Sequence, residues 1–136
     1  MLAAFTGRGV VQLKGPTMQS HKSVVERYFE GFRRRDHAQI LACLTDDVVW
    51  DIPGHTHIVG KEAFDREIER PGTTEAPVLV VDRLVEEADT VAAFGLGQGS
   101  QPSGASFRFA FCTVCTFTGD KIRRVESYVV PLNEGE

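Results

Sequence analysis

Cysteine is scarce in this chain. Cys43, Cys112 and Cys115 are an odd, scattered set that makes no disulfide framework. Cys112 and Cys115 do form a C-x-x-C, but inside a segment that reads as β-strand, where residues three apart point to opposite faces. A redox pair wants a helix N-terminus and a zinc site wants more ligands, so the spacing is read as coincidence. Sparse thiols fit a reducing, cytoplasmic compartment. No apolar run is long enough to span a bilayer. An excess of positive charge is missing too: the formal net charge is −4, which argues against a nucleic-acid or anionic-membrane partner. The tightest basic cluster, Arg33-Arg34-Arg35, stands where a helix is expected to end, and cations suit that end of the dipole.

What is present is ordinary for a globular domain. Hydrophobic residues make up 42% and charged residues 25% of 136, enough for one domain around one core. Residues 1–17 lack the basic start and apolar stretch of a signal peptide, and Gly7, Gly9, Gly15 and Pro16 argue against a helix there. They are read as a leader extension, with the domain proper expected over 18–136.

Val24, Val25, Tyr28, Phe29 and Phe32 recur at helical spacing and predict an amphipathic helix from about Ser20 to Arg35, capped by Ser20 or Ser23. Gly31, inside it, marks a close contact. Asp36 caps a second, short helix over His37–Leu44, and Thr45-Asp46-Asp47 reads as a turn. A strand over Val48–Ile52 stops at Pro53-Gly54; His55–Val59 is a short strand or loop, and Lys61–Arg70 a third helix ended by Pro71-Gly72. The remainder is β: Val78–Glu87, Thr90–Gln98, Ser106–Thr118 and Lys121–Val130, joined by turns at Ala88-Asp89 and Gly119-Asp120. The third of these alternates Phe107, Phe109, Phe111, Thr113, Cys115 and Phe117 with smaller or polar residues, a strict period of two. Helices followed by a run of strands predict an α+β fold.

Three stretches carry a resemblance: Val24-Val25-Glu26-Arg27-Tyr28-Phe29, then Leu44 through Gly54, then Gly60-Lys61-Glu62-Ala63-Phe64. Together they resemble the NTF2-like superfamily, in particular its ketosteroid isomerase-like and SnoaL-like (polyketide cyclase) group. The resemblance implies a cone, with a curved antiparallel sheet packed on about three helices around an apolar pocket. It does not fix an activity, since the superfamily includes isomerases, cyclases, dehydratases, epoxide hydrolases and non-catalytic binding domains.

Carried over residue by residue, the resemblance puts Tyr28 at the position of an oxyanion-donating tyrosine; the plainer reading is a core aromatic. The family's base is an aspartate on the first strand. Alignment from one side lands on Asp51, from the other on Ile52, and a one-residue slip reverses which face is meant. Trp50 and Ile52 share a face, which suits the pocket and leaves Asp51 on the other, unless a bulge near Pro53 intervenes. The position of the second oxyanion donor, an acid in the family, corresponds to Thr113. That of the cyclase aspartate corresponds to Ser127. The Asp-Arg-Asp network of the epoxide hydrolases has no evident counterpart in the sequence.

From the residues themselves, Asp51, His55 and His57 are the densest titratable group near the expected pocket mouth. His55 and His57, two apart, share a face if extended, and serve proton transfer or plain loop hydrogen bonds. With Asp51 they also have the ligand types for a metal, though not at a strong metal spacing, and neither metal nor cofactor is expected. Candidate catalytic residues are thus Tyr28, Asp51, His55 and His57. Phe32, Trp50, Ile52, Phe64, Phe109 and Phe111 are expected to line an apolar pocket, with Phe107, Thr113, Val125, Ser127 and Val129. Such a lining suits a small hydrophobic molecule carrying a carbonyl or hydroxyl. It serves an isomerase or cyclase working by proton abstraction, or a binding domain without chemistry. Proteins resembling this family pair through the outer sheet face, which here carries Val114, Thr116 and Tyr128, and a homodimer is expected.

Overall fold

The apolar stripe near the start of the domain forms the first helix. A computed structural model of the chain describes residues 20–68, 78–100 and 103–132. The leader over 1–17 and the stop at Pro71-Gly72 lie outside the described residues. Helix α1 (His21–Arg34) begins where Ser20 Oγ accepts the Ser23 N–H at 3.1 Å. Val24, Val25, Tyr28 and Phe29 are buried on one side of it. Arg35 ends it in the left-handed region at φ 54°, its N–H donating to a carbonyl of the last turn. Asp36 at once caps α2 (His37–Leu41), accepting from the Gln39 N–H at 3.0 Å. The two helices meet at Gly31, where a Cβ would stand 2.6 Å from Ile40 Cγ1.

Strand β1 (Leu44–Ile52) starts earlier than its sequence pattern indicates, and α2 is correspondingly shorter. Thr45-Asp46-Asp47, expected as a turn, belongs to the strand. The reason is tertiary: Leu44 pairs with Ile122, and a register shift before Val49 absorbs the polar residues while leaving Asp46 and Asp47 exposed. Strand β2 (Thr56–Val59) and helix α3 (Lys61–Glu67) follow, the helix ending short of the expected Arg70 with Ile68 as its cap. The later strands are β3 (Val78–Glu87), β4 (Thr90–Ser100), β5 (Ser106–Thr118) and β6 (Lys121–Pro131).

One six-stranded sheet has the order β2-β1-β6-β5-β4-β3. The last four strands form the antiparallel meander that the pattern predicted, and β1, whose pairing the pattern left open, runs parallel to β6. The other pairings are antiparallel. The parallel joint arises because the chain enters β1 from the helices and returns to it only through the meander, not through a hairpin. The inner face of the sheet meets α1 and α3 over a core that includes Phe64, Phe117, Ile122, Val91 and Val125, all essentially inaccessible. The outer face leaves Val80, Leu96, Tyr128 and Val130 about half exposed.

Candidate functional site

The sheet curls beyond this core and leaves a cavity of ≈ 510 Å³ between its inner face, α1 and α3. Strand parity decides what enters it. Trp50 and Ile52 of β1 point in, as do Thr113 of β5 and Ser127 of β6, which stand side by side on adjacent strands. Phe32 from α1 and Phe109 and Phe111 from β5 complete the expected apolar wall, with Phe107 and Val129 nearer the mouth. Phe64 and Val125, expected in the lining, are core residues instead. Phe64 lies beneath Trp50 with ring centroids 4.5 Å apart, and Val125 is Trp50's strand neighbour.

Three hydroxyls stand deep in this apolar space, with Ser100 nearer the mouth. Tyr28 projects from α1 between Phe32 and Phe64, its ring edge-on to both. It is 3% exposed, and burial raises its pKa well above the ordinary value, so it stays a neutral donor. Among the described residues its hydroxyl makes no hydrogen bond, and neither does the Thr113 hydroxyl, in a residue only 6% exposed. Ser127 Oγ accepts from the Trp50 indole N–H at 3.0 Å, which leaves the serine proton to be donated elsewhere.

Asp51 is not in the cavity. It faces outward, where its carboxylate binds Arg124 at 2.5 Å and accepts a hydrogen bond from His57. The bond from His57, and then the Arg124 charge, holds its carboxyl below the usual carboxylate range. Arg124 also reaches Glu126 at 3.8 Å, and Tyr128 donates to Glu126 at 3.3 Å. So a carboxylate–arginine network does exist, but on the outer face of β2, β1 and β6. It was invisible in the sequence because the β1–β6 pairing that builds it joins residues far apart in the chain.

The two histidines do not share a face. His57 stays in β2 and points out with Asp51. His55 sits in the turn after β1, closed by its N–H donating to Ile52 O at 2.8 Å, and lines the cavity. The turn breaks the two-residue phase on which a shared face depends. Asp51, His55 and His57 therefore do not converge on one point, and no group of three possible metal ligands occurs among the described residues.

The structure adds residues that the pattern missed. Arg35, Glu67 and Ile68 from the helices and Leu79 from β3 also line the cavity. Only for Leu79 was there a signal, its period-two alternation with Val81. Arg35 enters because the left-handed cap turns it back across the end of α1. A second hollow of ≈ 500 Å³ lies between α1 and β3, bordered by Lys22, Glu26, Arg33, Asp82 and Arg83. Its border carries charges of both signs, whereas Tyr28, Thr113 and Ser127 line the first cavity. The C-x-x-C is split by the sheet. Cys115 is buried and pushed up to about 12, Cys112 lies on the outer side, and both are free. No helix among the described residues is long and apolar enough to cross a membrane.

Solved structures share this architecture. TerC, co-crystallised with polyporic acid, is 22% identical with a TM-score of 0.73, over 79% of this chain and 88% of its own. An NTF2-like protein of unknown function from Burkholderia pseudomallei is 24% identical with a TM-score of 0.72, over 81% and 90%. An LEH-like epoxide hydrolase from M. tuberculosis is 18% identical with a TM-score of 0.71, over 80% and 81%. At these identities the likeness is one of fold. No curated protein matches the chain. The model of the SnoaL-like domain matches residues 25–125, most of the chain, and the protein is a member of the SnoaL-like domain family.

Proposed function

We propose that the protein binds a small hydrophobic carbonyl compound in the conical cavity, with the carbonyl oxygen turned toward Tyr28, Thr113 and Ser127. The observation that carries this reading is the Trp50–Ser127 hydrogen bond. It occupies the serine oxygen and frees its proton, beside a threonine and a tyrosine whose hydroxyls have no partner among the described residues. Both hydroxyls open onto the cavity, where a ligand oxygen would accept from them. The apolar wall suits the rest of such a ligand. TerC, of similar fold, was co-crystallised with polyporic acid.

Donors around a carbonyl oxygen also stabilise the enolate formed when a proton leaves the adjacent carbon. An isomerase or cyclase of this kind would use His55 as the base, because His55 lines the cavity and Asp51 does not. The second reading, a binding domain without chemistry, is favoured by Ile52, which puts an apolar group on the pocket face of β1. A homodimer joined through the outer face is part of the proposal, supported by the half-exposed Val80, Leu96, Tyr128 and Val130 there. A reducing, cytoplasmic setting is supported by the free thiols.

The test uses acetophenone. Quenching of Trp50, the single tryptophan, reports binding. Deuterium uptake at the methyl group in D₂O reports proton abstraction. Exchange that exceeds the buffer rate and disappears in His55→Ala supports an enzyme. Binding without exchange supports the binding domain, and no binding rejects the carbonyl reading.

A further inference from the structure

Strand β3 stands at one end of the sheet, and no strand among the described residues pairs with its second edge. An open edge recruits other strands unless something covers it. Helix α1 covers the two ends of this one. Arg33 Nε donates to Leu79 O at 2.7 Å, and His21 Nδ1 stands 3.3 Å from a carboxylate oxygen of Glu86. Between these ties lies the hollow of ≈ 500 Å³. The consecutive residues Val81 to Leu84 line it from both faces of the strand, so it opens along the edge, with Val25 and Phe29 of α1 as its other apolar wall. A further strand of the sheet would run about 4.8 Å beyond β3, along this hollow.

The centre of the edge is irregular. The register with β4 shifts between Val81 and Arg83, which leaves Asp82 as the extra residue of a bulge. Residues three apart normally point to opposite faces of a strand. Across this bulge, Val81 and Leu84 both pack against the core, and Val80 and Val85 are both about half exposed. Asp82 and Arg83 have no ion-pair partner among the described residues, and the Arg83 guanidinium lies 4.4 Å over the Phe94 ring.

We propose that the β3 edge docks the β3 edge of a second copy of the chain, antiparallel, about a two-fold axis between Asp82 and Arg83. In such a pairing, facing residues must lie on the same side of the sheet. A regular strand meets that condition only for residues an even number apart. The bulge makes it hold for an odd number, and so admits this register. Asp82 of each copy then faces Arg83 of the other, Val81 faces Leu84, and Val80 faces Val85. The Val81 and Leu84 side chains of the second copy enter the hollow beside Val25 and Phe29. A slip of one residue either way sets Asp82 against Asp82 or Arg83 against Arg83, and like charges directly opposite repel. Bulge and charges thus close the edge to most strands and match it to this one. The joint is separate from the outer face of the sheet and independent of what the cavity binds. It is a weak contact that forms above micromolar concentration, because only the stretch between the two ties is open.

The test is sedimentation equilibrium of the full chain from micromolar to millimolar concentration. The mass found at micromolar concentration should rise at least twofold. Asp82→Arg alone and Arg83→Asp alone should each weaken that step about tenfold or more, since each turns two attractive pairs into two repulsive ones. The double variant should restore it, and an equimolar mixture of the two single variants should associate about as the parent does. Mixing repairs a charge mismatch and does not repair a misfolded strand, and far-ultraviolet circular dichroism of each variant checks the fold directly. Single variants that associate like the parent, or a mixture no stronger than its components, overturn the pairing. So does a parent whose mass does not rise, and the edge is then left to an extended segment of another protein.

Discussion

The indole N–H of Trp50 donates to Ser127 Oγ at 3.0 Å across the parallel joint between β1 and β6. The bond fixes the indole against Phe64 and orients a serine that would otherwise rotate freely. Ser127→Ala should therefore cost about 1 kcal/mol by leaving the indole N–H unpaired, and shift the Trp50 emission maximum. Urea unfolding followed by fluorescence reads both. An unchanged spectrum would mean that the bond is absent in solution.

Tyr28 differs from Ser127 in having no protein partner for its hydroxyl among the described residues. Tyr28→Phe should leave stability within about 0.5 kcal/mol, because no intramolecular hydrogen bond is lost. Binding of an aryl ketone should weaken about tenfold, the worth of one good hydrogen bond. Loss of stability with unchanged binding would make Tyr28 a core aromatic only.

The pH dependence centres on Asp51. Its folded-state pKa is depressed by His57 and Arg124, so its contribution to stability is full above the ordinary carboxylate value of about 3.9 and is lost as pH falls through the lower folded value. The urea midpoints of the parent and Asp51→Asn should differ most near neutrality and converge in acid. Since Asp51 faces away from the cavity, ligand binding by the variant at pH 7 should be unchanged.

Gly31 lies in the last turn of α1, inside the helix, where alanine normally adds up to about 1 kcal/mol of helix stability. Here its Cβ would stand 2.6 Å from Ile40 Cγ1 and 3.3 Å from the Ile40 backbone nitrogen. Gly31→Ala should instead destabilise by about 1–3 kcal/mol, the usual cost of overpacking. A denaturation midpoint above that of the parent would show that α2 moves aside.

On the outer face, Leu96 is 46% exposed beside Val80 on the next strand. If that face joins two copies, light scattering should give twice the chain mass for the parent and the single mass for Leu96→Glu. Far-ultraviolet circular dichroism should be the same for both. A monomeric parent at micromolar concentration removes the dimer from the proposal.

Local chemistry determined much of this protein. The helical stripe from Val24 to Phe32 and the period-two run from Phe107 to Phe117 specify an element and its buried side, because both periods follow from backbone geometry alone. The same parity put Trp50 and Ile52 on one face of β1 and Asp51 on the other, as they are in the structure. What periodicity does not carry is depth. Phe64 and Phe111 look alike in sequence, yet one lies beneath Trp50 in the core and the other in the cavity wall, according to how far along the cone each stands. The turn that separates His55 from His57, the left-handed cap that returns Arg35 to the cavity, and the Asp51–Arg124 pair were likewise decided only in three dimensions. Each depends on which strand lies beside which, and the parallel pairing of β1 with β6 joins segments that no local pattern relates.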